Sequence, residues 1–441
     1  MYSRAWRLRP AVTTRMEPTA LPVVSPMSTL LDAPIVRRKV SGRPARPTVL
    51  GGDQAFPGTL PFCRPARPPL DEVTARFEPS YNAGILTNGR LVAELEERTA
   101  DRLGVRRVVA VSSCTSGLIL SVQAVTEGAT GHVVMPSFTF LASGHAVRWN
   151  GLLPRFVDCD PSSFQMDLDH AAQHLDGASA IMATHIFGGP SNPEAVEALG
   201  RSRGVPVIFD AAHAFGSISG GRAVGGSGSA EVFSLTPTKV LVAGEGGLVA
   251  TNDLDLAERV RIGRNYADPG TYDSRFVGLN ARMSEYHAAM ALVSLERFDH
   301  VLRTRRSLAN QYRRLLSHIP GLQVQLVDSA DESTFKDLAM VIDPEVFGMT
   351  RDQLVTCLDV EGIETRNYFD PPMHRQHAYA HLHNGDLPVT DQVSSRVVNL
   401  PLYADLSTTD IDRVVDAVHR IQLHADEIVG HLSAVAVASS S

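Results

Sequence analysis

The sequence has few cysteines and no long apolar run, and each absence excludes a class of protein. Four cysteines are scattered over 441 residues without CxxC or CxxH spacing, at Cys63, Cys114, Cys159 and Cys357. This spacing predicts neither a disulfide framework nor a zinc site. No apolar run approaches the roughly 18 residues that a membrane helix needs. We therefore expect a cytoplasmic enzyme with free thiols, no metal site and no contact with a membrane.

Acidic residues outnumber basic ones, except near the start of the chain. The formal net charge is −7, with 44% hydrophobic and 20% charged residues, which is typical of a soluble globular protein. Residues 1–69 hold 11 Lys and Arg against 3 Asp and Glu, so the remainder is strongly acidic. An acidic body argues against nucleic-acid binding by the folded part.

Both ends of the chain lack a periodic apolar pattern. The first 50 residues are rich in Arg, Pro, Ser and Thr, and they contain no apolar signal-peptide segment. An Arg-rich, acid-poor start resembles a transit peptide, but translation from an upstream start codon is the favoured explanation, with Met16 or Met27 as the working start. We expect residues 1–59 to form a disordered extension and residues 431–441 to form a frayed tail.

Short apolar runs alternate with segments of helical spacing along most of the chain. The strand-like runs are Arg107 to Ser112, His132 to Met135, Leu153 to Val157, Ala180 to Thr184, Val205 to Phe209, Ala230 to Leu235 and Leu248 to Thr251. Such alternation predicts an α/β fold with a doubly wound, mostly parallel sheet. From about Val301 the pattern changes to long helices and short strands. We therefore expect a large domain at 60–300 and a smaller α+β domain at 301–430.

A single lysine stands between a strand-like run and a glycine-rich stretch. Apart from Lys239, nothing from Val232 to Gly244 is ionisable. Burial disfavours an ammonium more than a free amine, so these surroundings favour the neutral lysine. A neutral amine is what a Schiff base with an aldehyde cofactor requires. A lysine that merely extends from a loop would have the same local pattern, so this stretch alone leaves both interpretations open.

An aspartate follows directly after the apolar run Val205 to Phe209. Asp210 is followed by small residues and by His213. Ligands of open α/β sheets bind at the carboxyl ends of strands. A carboxylate there can keep the ring nitrogen of pyridoxal phosphate (PLP) protonated, so that the ring acts as an electron sink. An aspartate that caps the next helix is the alternative, but the two stretches together favour the cofactor.

Ordered motifs from about Leu60 to Leu406 carry a resemblance to a known family. They include Asp210-Ala-Ala-His213-Ala, Ser234 to Lys239, Glu245-Gly-Gly247, Ile85-Leu-Thr-Asn-Gly89, Ser112 to Gly117, Met135 to Phe140, His185-Ile-Phe-Gly188, Gly278 to Glu285 and Asn399-Leu-Pro401-Leu. The sequence resembles the DegT/DnrJ/EryC1/StrS family of PLP-dependent sugar aminotransferases. The resemblance implies the fold-type I architecture, in which the large domain binds PLP.

The resemblance also implies a set of functional residues. Lys239, Asp210 and His213 would be catalytic: Lys239 attaches the cofactor and moves the proton, Asp210 holds the ring nitrogen, and His213 lies by the ring hydroxyl. Phe140 would stack on the ring, while the phosphate would be bound by Thr115, Ser116, Ser234 and, from the neighbouring subunit, Asn280. The resemblance thus implies a homodimer with shared sites. Candidates near the substrate are His185, whose role is expected to be indirect, Arg282, Arg366, Tyr368 and His374.

Simpler interpretations of some of these residues stay open. Thr115 and Ser116 lie between a strand and the apolar run Leu118 to Val125, where hydroxyl residues bind anions or simply cap a helix. Asn280 would also suit an ordinary turn before a helix. The segment from Thr365 to His374 is rich in proline and aromatic residues, which is typical of a packed connector as well.

The implied activity is transfer of an amino group from an amino acid to a keto group of a nucleotide-activated deoxysugar. L-Glutamate is the expected amino donor. Such a step belongs to amino-sugar biosynthesis for a polysaccharide or a secondary metabolite. The alternatives are amination of a keto-cyclitol and a non-catalytic PLP-binding regulator. Related members with histidine in place of the lysine dehydrate sugars, and Lys239 argues against that activity.

Overall fold

The computed structural model of the chain describes residues 45–382 and 385–440. The helices are α1 (Leu70–Asn82), α2 (Arg90–Leu103), α3 (Cys114–Val125), α4 (Leu141–Trp149), α5 (Leu168–Ala172), α6 (Pro193–Arg203), α7 (Leu254–Gly263), α8 (Glu285–Leu316), α9 (Pro344–Phe347), α10 (Arg351–Val360), α11 (Pro388–Arg396), α12 (Thr408–Leu423) and α13 (Ala425–Ser440). The strands are β1 (Arg107–Val111), β2 (His132–Pro136), β3 (Leu153–Val157), β4 (Ala178–Thr184), β5 (Val207–Asp210), β6 (Ile218–Ser219), β7 (Arg222–Ala223), β8 (Ala230–Ser234), β9 (Gly247–Thr251), β10 (Leu322–Val324), β11 (Leu338–Ile342) and β12 (Val397–Leu400). Short 3-10 turns lie at Thr48–Leu50, Ile186–Gly188 and Met373–Arg375.

A seven-stranded sheet forms the framework of the site. Its order is β1-β9-β8-β5-β4-β2-β3, and β9 alone within it runs antiparallel to its neighbours. The predicted α/β fold with a mostly parallel sheet is therefore confirmed. Strands β4, β5 and β8 lie side by side, so the residues at their carboxyl ends meet at one edge of the sheet.

Helices cover both faces of this sheet because its strands are apolar on both sides. Along β1, Val108 and Ala110 belong to one core cluster, whereas Val109 and Val111 belong to another. Successive side chains of a strand point to opposite faces, so the two clusters lie on opposite sides. Residues of α2 and α8 fill the first cluster, and residues of α3 and α7 fill the second. Burial on both faces explains the near-continuous apolar strands.

A second sheet, β10-β11-β12, is antiparallel and has its own core. That core includes residues of α10 and α12 and the last part of α8. Helix α8 is 32 residues long and contributes to both cores. The change to long helices that is predicted from about Val301 thus falls inside a helix that begins at Glu285. The predicted boundary at residue 300 lies inside it, and the division at 60–300 and 301–430 stays a prediction.

Part of the segment before residue 60 is ordered, although the sequence predicted disorder for all of it. Residues 1–44 lie outside the described residues, but Val49, Leu50, Ala55 and Phe56 pack against the core of the second sheet. Phe56 is buried there, and Glu361, which is fully buried, accepts hydrogen bonds from Thr48 N at 3.0 Å, Thr48 Oγ1 at 2.8 Å and Ala55 N at 2.9 Å. A buried carboxylate needs such donors, so these residues are held in place.

Several element boundaries also differ from the sequence prediction. Helix α3 begins at Cys114 rather than Leu118, because Ser113 caps it. Strand β5 includes Asp210 as its last residue. The predicted tail at 431–441 lies largely in helix α13, and residue 441 is outside the described part.

In the described part of the chain, no helix is long and apolar enough to cross a membrane. Those same residues contain no group of three or more His, Cys, Asp and Glu side chains placed to hold a metal ion.

Candidate active site

Lys239 lies in the loop between β8 and β9, at the edge of the sheet where β4 and β5 also end. The loop is closed by hydrogen bonds from Ala243 N to Leu235 O at 2.8 Å and from Leu235 N to Gly246 O at 3.0 Å. Lys239 is partly buried. Burial, followed by the positive charge of Lys336, lowers its pKa to about 8 against the opposing effect of nearby negative groups. The neutral amine is therefore more populated near physiological pH than that of an exposed lysine.

Asp210 ends β5 and is 3% exposed. Its Oδ2 accepts a hydrogen bond from Ser143 Oγ at 2.6 Å, and its Oδ1 accepts one from Ala212 N at 3.1 Å. Burial raises the pKa of Asp210, while these two donors and the charge of Lys239 oppose that rise. The hydrogen bond from Ala212 N, two residues along the chain, is of the kind that caps a turn, but no helix begins there. The carboxylate is thus fixed in position at the carboxyl end of a buried strand.

His213 lies three residues after Asp210 and faces the aromatic ring of Phe187. Phe187 N donates to His213 Nδ1 at 3.2 Å, so the neutral imidazole carries its proton on Nε2. The two rings stack with an interplanar angle of 8° and centroids 6.2 Å apart. Burial and the charges of Lys239 and Lys336 hold the pKa of His213 well below its usual value. His213 is therefore a neutral donor at physiological pH.

Phe140 offers an open aromatic face beside these groups. It is 52% exposed and lies directly before α4, the helix that carries Ser143. Its ring is tilted against Phe369, with centroids 6.2 Å apart. Phe138, two residues earlier, is fully buried among Phe164, Phe187 and Phe369. Phe138 thus belongs to the core, whereas the ring of Phe140 is exposed, and the predicted stacking of Phe140 on the cofactor stays a prediction.

The turn before α3 presents backbone N–H groups and hydroxyls. Ser113 Oγ accepts from Ser116 N at 3.1 Å, and Ser116 Oγ donates to Ser113 O at 2.8 Å, so these two residues form the helix cap. Gly117 N bonds to Ser113 O at 3.1 Å. This leaves the N–H of Cys114 and Thr115 for an acceptor outside the helix, which suits an anion.

Two further residues complete the surroundings of this turn. At Gly247 a Cβ would lie 2.6 Å from the backbone of Ser113 and Cys114, so only glycine allows β9 to approach so closely. Ser234 ends β8, and its Oγ lies 3.2 Å from Thr236 Oγ1. Its hydroxyl is therefore carried by the strand that leads to Lys239.

Asn280 and Arg282 lie on a segment that runs beside the end of β1. Ser112 N donates to Ala281 O at 2.8 Å, which brings this segment to the turn before α3 of the same chain. The side chain of Asn280 is exposed, whereas Arg282 is half-buried, bonds to Asn265 and lies 5.4 Å above the ring of Tyr266. The role predicted for Asn280 on a partner subunit stays a prediction.

His185 is enclosed at the end of β4. Its side chain has no exposed surface, and its ring stacks on Phe209 at 5.0 Å. Ser191 N donates to Nδ1 at 3.0 Å, so Nε2 carries the proton and faces Glu231 Oε2 at 3.2 Å. Its backbone N–H also donates to Asp210 O at 3.1 Å. These contacts favour the predicted indirect role, through support of Asp210, over contact with a substrate.

The three candidates from the C-terminal part have different surroundings. Arg366 is paired with Glu364 at 2.6 Å, and Tyr368 is half-buried with its ring stacked on Phe369 at 5.5 Å. His374 has a side chain that is 7% exposed, with Nδ1 2.7 Å from Ser137 Oγ. Burial lowers the pKa of His374. Arg366 and Tyr368 thus remain accessible candidates, whereas His374 is engaged within the fold.

Two residues near Asp210 and Lys239 were missed by the sequence analysis. Ser143 binds the Asp210 carboxylate, and its Oγ also lies 3.1 Å from Thr139 Oγ1. Lys336 lies within electrostatic reach of Lys239 and His213. A signal for Ser143 existed, since it stands one helical turn after Phe140 and shares its side of α4. Lys336 gave no local signal.

The chain matches the DegT/DnrJ/EryC1/StrS aminotransferase family over residues 70–419. It belongs to this family. Among its relatives, GDP-perosamine synthase of Caulobacter vibrioides is 33% identical over 367 residues, covering 82% of this chain and 99% of that protein. The dTDP-4-amino-4,6-dideoxy-D-glucose transaminase of Shigella dysenteriae is 30% identical, covering 81% of this chain and 98% of that protein.

Solved structures of aminotransferases resemble the fold closely. The crystal structure of DesI, determined in the presence of its TDP-sugar product, has a TM-score of 0.82 at 36% identity, covering 88% of this chain and 98% of DesI. The sugar aminotransferase CalS13 from Micromonospora echinospora has a TM-score of 0.76 at 29% identity, covering 82% of this chain and 99% of CalS13. The chain is thus a PLP-dependent aminotransferase of the fold-type I architecture.

The residues at the edge of the sheet fit this cofactor. A buried carboxylate at Asp210 suits a protonated ring nitrogen, and an amine of lowered pKa at Lys239 suits an aldehyde. The open face of Phe140 suits an aromatic ring, and the N–H groups of Cys114 and Thr115 suit a phosphate. Each group that the cofactor needs therefore has a chemically matched counterpart.

Proposed function

We propose that this aminotransferase moves an amino group from L-glutamate to a keto group on the sugar of a nucleotide-activated deoxysugar. The observation that carries the proposal is the presence of an amine of lowered pKa, Lys239, in the loop after β8 and of a buried carboxylate, Asp210, at the end of the neighbouring strand β5. The sugar class is supported by the relatives, whose names refer to GDP-linked and dTDP-linked amino sugars. The product would serve amino-sugar biosynthesis.

In this proposal each side chain has one task toward the cofactor. Lys239 would attach it, Asp210 would hold its ring nitrogen, Phe140 would cover one ring face, and the Nε2–H of His213 would be available to the ring hydroxyl. Thr115, Ser116 and Ser234 surround its phosphate, with Ser116 acting chiefly through the cap that it forms. When bound, PLP supplies an aldehyde for the donor amine and a ring that withdraws electrons from the donor α-carbon.

Lys239 would act as the acid and base of the reaction once the donor amine has replaced it on the cofactor aldehyde, which frees its Nζ. Its Nζ accepts the proton from the α-carbon of the donor and later returns a proton to the carbon of the acceptor that receives the amine. Both steps need an amine that titrates near the working pH, and the pKa of about 8 meets that need. Ser143 supports the reaction indirectly, since its hydrogen bond favours the charged form of Asp210.

We further propose that the active enzyme is a homodimer whose sites combine residues of two subunits. Asn280 is exposed on a segment beside the turn that precedes α3, so its amide is available to a neighbouring molecule. Arg282 would lie near the same anion or near the diphosphate of the substrate. Arg366 and Tyr368 are the candidates for the sugar side of the site.

The proposal is tested with the purified full-length enzyme and a panel of acceptors. Nucleotide-linked keto sugars and keto-cyclitols are each incubated with L-glutamate and, separately, with other amino acids, and amine products are detected by mass spectrometry. The expected result is amination of a nucleotide-linked keto sugar and formation of 2-oxoglutarate. A Lys239→Ala variant serves as the control for non-enzymatic transfer. Exclusive amination of cyclitols would overturn the proposed acceptor, and transfer from other amino acids but not glutamate would overturn the proposed donor.

A further inference from the structure

Residues 332–336, called the bridging segment below, connect the second sheet to two loops of the seven-stranded sheet. The segment lies between β10 and β11, whereas the two loops follow β4 and β5 and carry Phe187 and His213. At its start the segment is anchored to Ile218: Glu332 N donates to Ile218 O at 2.8 Å, and Ile218 N donates to Glu332 O at 2.9 Å. The chain beyond Glu332 is thereby directed to the loops that carry candidate catalytic residues.

Two alternate residues of the bridging segment hold the two members of one hydrogen-bonded pair. Thr334 Oγ1 donates to His213 O at 2.6 Å, and Lys336 N donates to Phe187 O at 2.9 Å. Phe187 and His213 in turn bond to each other, since Phe187 N donates to His213 Nδ1 at 3.2 Å. The bridging segment therefore fixes the main chain on both sides of the contact that sets the tautomer of His213.

Phe187 has a backbone conformation that depends on its surroundings. Its φ of +53° and ψ of 12° lie in the left-handed region, which is uncommon for a bulky residue and persists only where neighbouring groups determine it. Its fully buried ring is stacked against His213 at an interplanar angle of 8° and against Phe369 at 10°. In this conformation the Phe187 N–H meets His213 Nδ1, so the contact requires that both loops are held.

The hydroxyl of Thr334 lies where the two loops and the bridging segment meet. Thr334 is fully buried. At Gly188 a Cβ would lie 2.0 Å from Thr334 Oγ1 and 3.0 Å from His213 O, so glycine is needed for this close approach. The carbonyl of Gly188 accepts a hydrogen bond from Ser217 Oγ at 2.6 Å, which ties the loop after β4 to the loop after β5 once more.

We propose that Thr334 is a positioning residue for the reaction: its hydroxyl holds the loop of His213 against Phe187. Nδ1 of His213 then stays the acceptor, and its Nε2–H is directed to the ring hydroxyl of the cofactor. The assignment of His213 to that hydroxyl rests on the proposed function, whereas the link from Thr334 to the tautomer of His213 does not. Thr334 itself touches neither the cofactor nor the substrate in this proposal.

The first measurement determines the tautomer without cofactor or turnover. Nitrogen NMR of full-length protein labelled at histidine shows which nitrogen of His213 carries the proton and whether Nδ1 accepts a hydrogen bond; His213→Ala identifies the signal. The wild type should have one tautomer, with the proton on Nε2. Thr334→Val keeps the volume but removes the donor, so the bond to Nδ1 should weaken and the second tautomer should appear. Thr334→Ser restores the hydroxyl and should restore the wild-type signal.

Two further variants separate the hydroxyl of Thr334 from the stability of the segment. Ser333 is also buried, and its Oγ accepts a hydrogen bond from Phe335 N at 2.8 Å. Ser333→Ala therefore removes a bond within the bridging segment but none to His213, and it should leave the His213 signal unchanged. Thr334→Ala removes the same hydroxyl as Thr334→Val and repeats the test if the latter does not fold.

The second measurement follows the visible absorbance of the holoenzyme against pH, with no donor or acceptor present. When the link between Lys239 and the cofactor loses its proton, the ring oxygen carries an uncompensated negative charge. A hydrogen bond from His213 favours that charged form and so lowers the midpoint of the titration. His213→Ala should raise the midpoint, Thr334→Val should raise it by a smaller amount, and Thr334→Ser should keep the wild-type value.

The outcomes separate this proposal from the proposed function. A wild-type His213 signal in folded Thr334→Val, a proton on Nδ1 in the wild type, or the same change in Ser333→Ala would each overturn the role of Thr334. So would a wild-type midpoint in Thr334→Val when His213→Ala raises it. An unchanged midpoint in His213→Ala would instead overturn the proposed contact of His213 with the ring, and the NMR result for Thr334 would stand.

Discussion

The hydrogen bond between Ser143 and Asp210 offers a sharp test of how the site is built. Ser143 Oγ donates to Asp210 Oδ2 at 2.6 Å inside the protein, and this donation opposes the rise in pKa that burial imposes on Asp210. The Ser143→Ala substitution removes the donor and little volume. The carboxylate then keeps only the N–H of Ala212 at 3.1 Å among the donors described for it. We expect the charged form of Asp210 to be destabilised.

The size of the effect follows from the kind of bond. A hydrogen bond to a charged group is worth about 1.5–3 kcal/mol, and a change of one in a pKa corresponds to about 1.4 kcal/mol. The pKa of Asp210 should therefore rise by about one to two. Since the reaction needs the carboxylate, the acid limb of the pH profile of kcat/KM should move to higher pH by the same amount. Activity well above that limb should change much less.

The assay is a pH profile of amino transfer for wild type, Ser143→Ala and a matched control, Thr184→Val. Thr184 Oγ1 lies 3.1 Å from Thr139 Oγ1, which in turn contacts Ser143 Oγ. The control therefore removes one neighbouring hydroxyl but keeps Ser143, the hydrogen-bond donor to Asp210. Its acid limb should stay close to that of the wild type. If Ser143→Ala had the wild-type acid limb while Asp210→Asn was inactive, the reasoning about this hydrogen bond would be refuted.

Three further predictions concern the ring contact, the start of the chain and the assembly. Asp210→Asn should retain cofactor but lose most activity, because an amide is no charge partner for the ring; an unchanged rate would leave Asp210 with a purely structural role. Deletion of residues 1–44 should preserve the melting temperature, whereas deletion of 1–59 should lower it, since one buried phenylalanine alone contributes about 3–5 kcal/mol; equal melting temperatures for both deletions would contradict the packing of this segment. Asn280→Ala and Lys239→Ala, each weak or inactive alone, should recover activity when mixed and allowed to exchange subunits; no recovery after confirmed exchange would place Asn280 outside the partner's site.

Local patterns in the sequence were sufficient for the framework of the site. The apolar runs of the sheet could be predicted because burial on both faces makes them continuous, and Asp210 was recognisable because it ends such a run. Lys239 was recognisable because it is isolated among uncharged residues. These signals depend on a few neighbours along the chain, which a sequence displays directly.

Contacts between distant segments could not be predicted in this way. Ser143 is 67 residues from Asp210 along the chain, and Thr48 is 313 residues from Glu361. The polar, proline-rich composition before residue 60 suggested disorder, but a buried carboxylate far along the chain holds part of that segment in place. Composition indicates how many apolar residues a segment can bury by itself. It does not show which hydrogen-bond partners or apolar surfaces a distant segment provides.

Helix α8 explains why the domain boundary was drawn within a continuous element. Up to Leu302 its buried residues belong to the core of the seven-stranded sheet, and from Leu308 they belong to the core of the second sheet. The change of partner alters the apolar pattern near Val301, and such a change also predicts the start of a new domain. A single long helix that serves two cores has the same pattern.

Reduction of the holoenzyme tests most directly whether Lys239 attaches the cofactor. Borohydride makes the link between a lysine and a bound aldehyde permanent, and peptide mapping by mass spectrometry then identifies the lysine. With only three lysines in the chain, the assignment is unambiguous. The account predicts that the added mass lies on Lys239 alone and that Lys336→Gln carries it at the same position. Added mass on Lys336, or modification that persists in Lys239→Ala, would contradict the account.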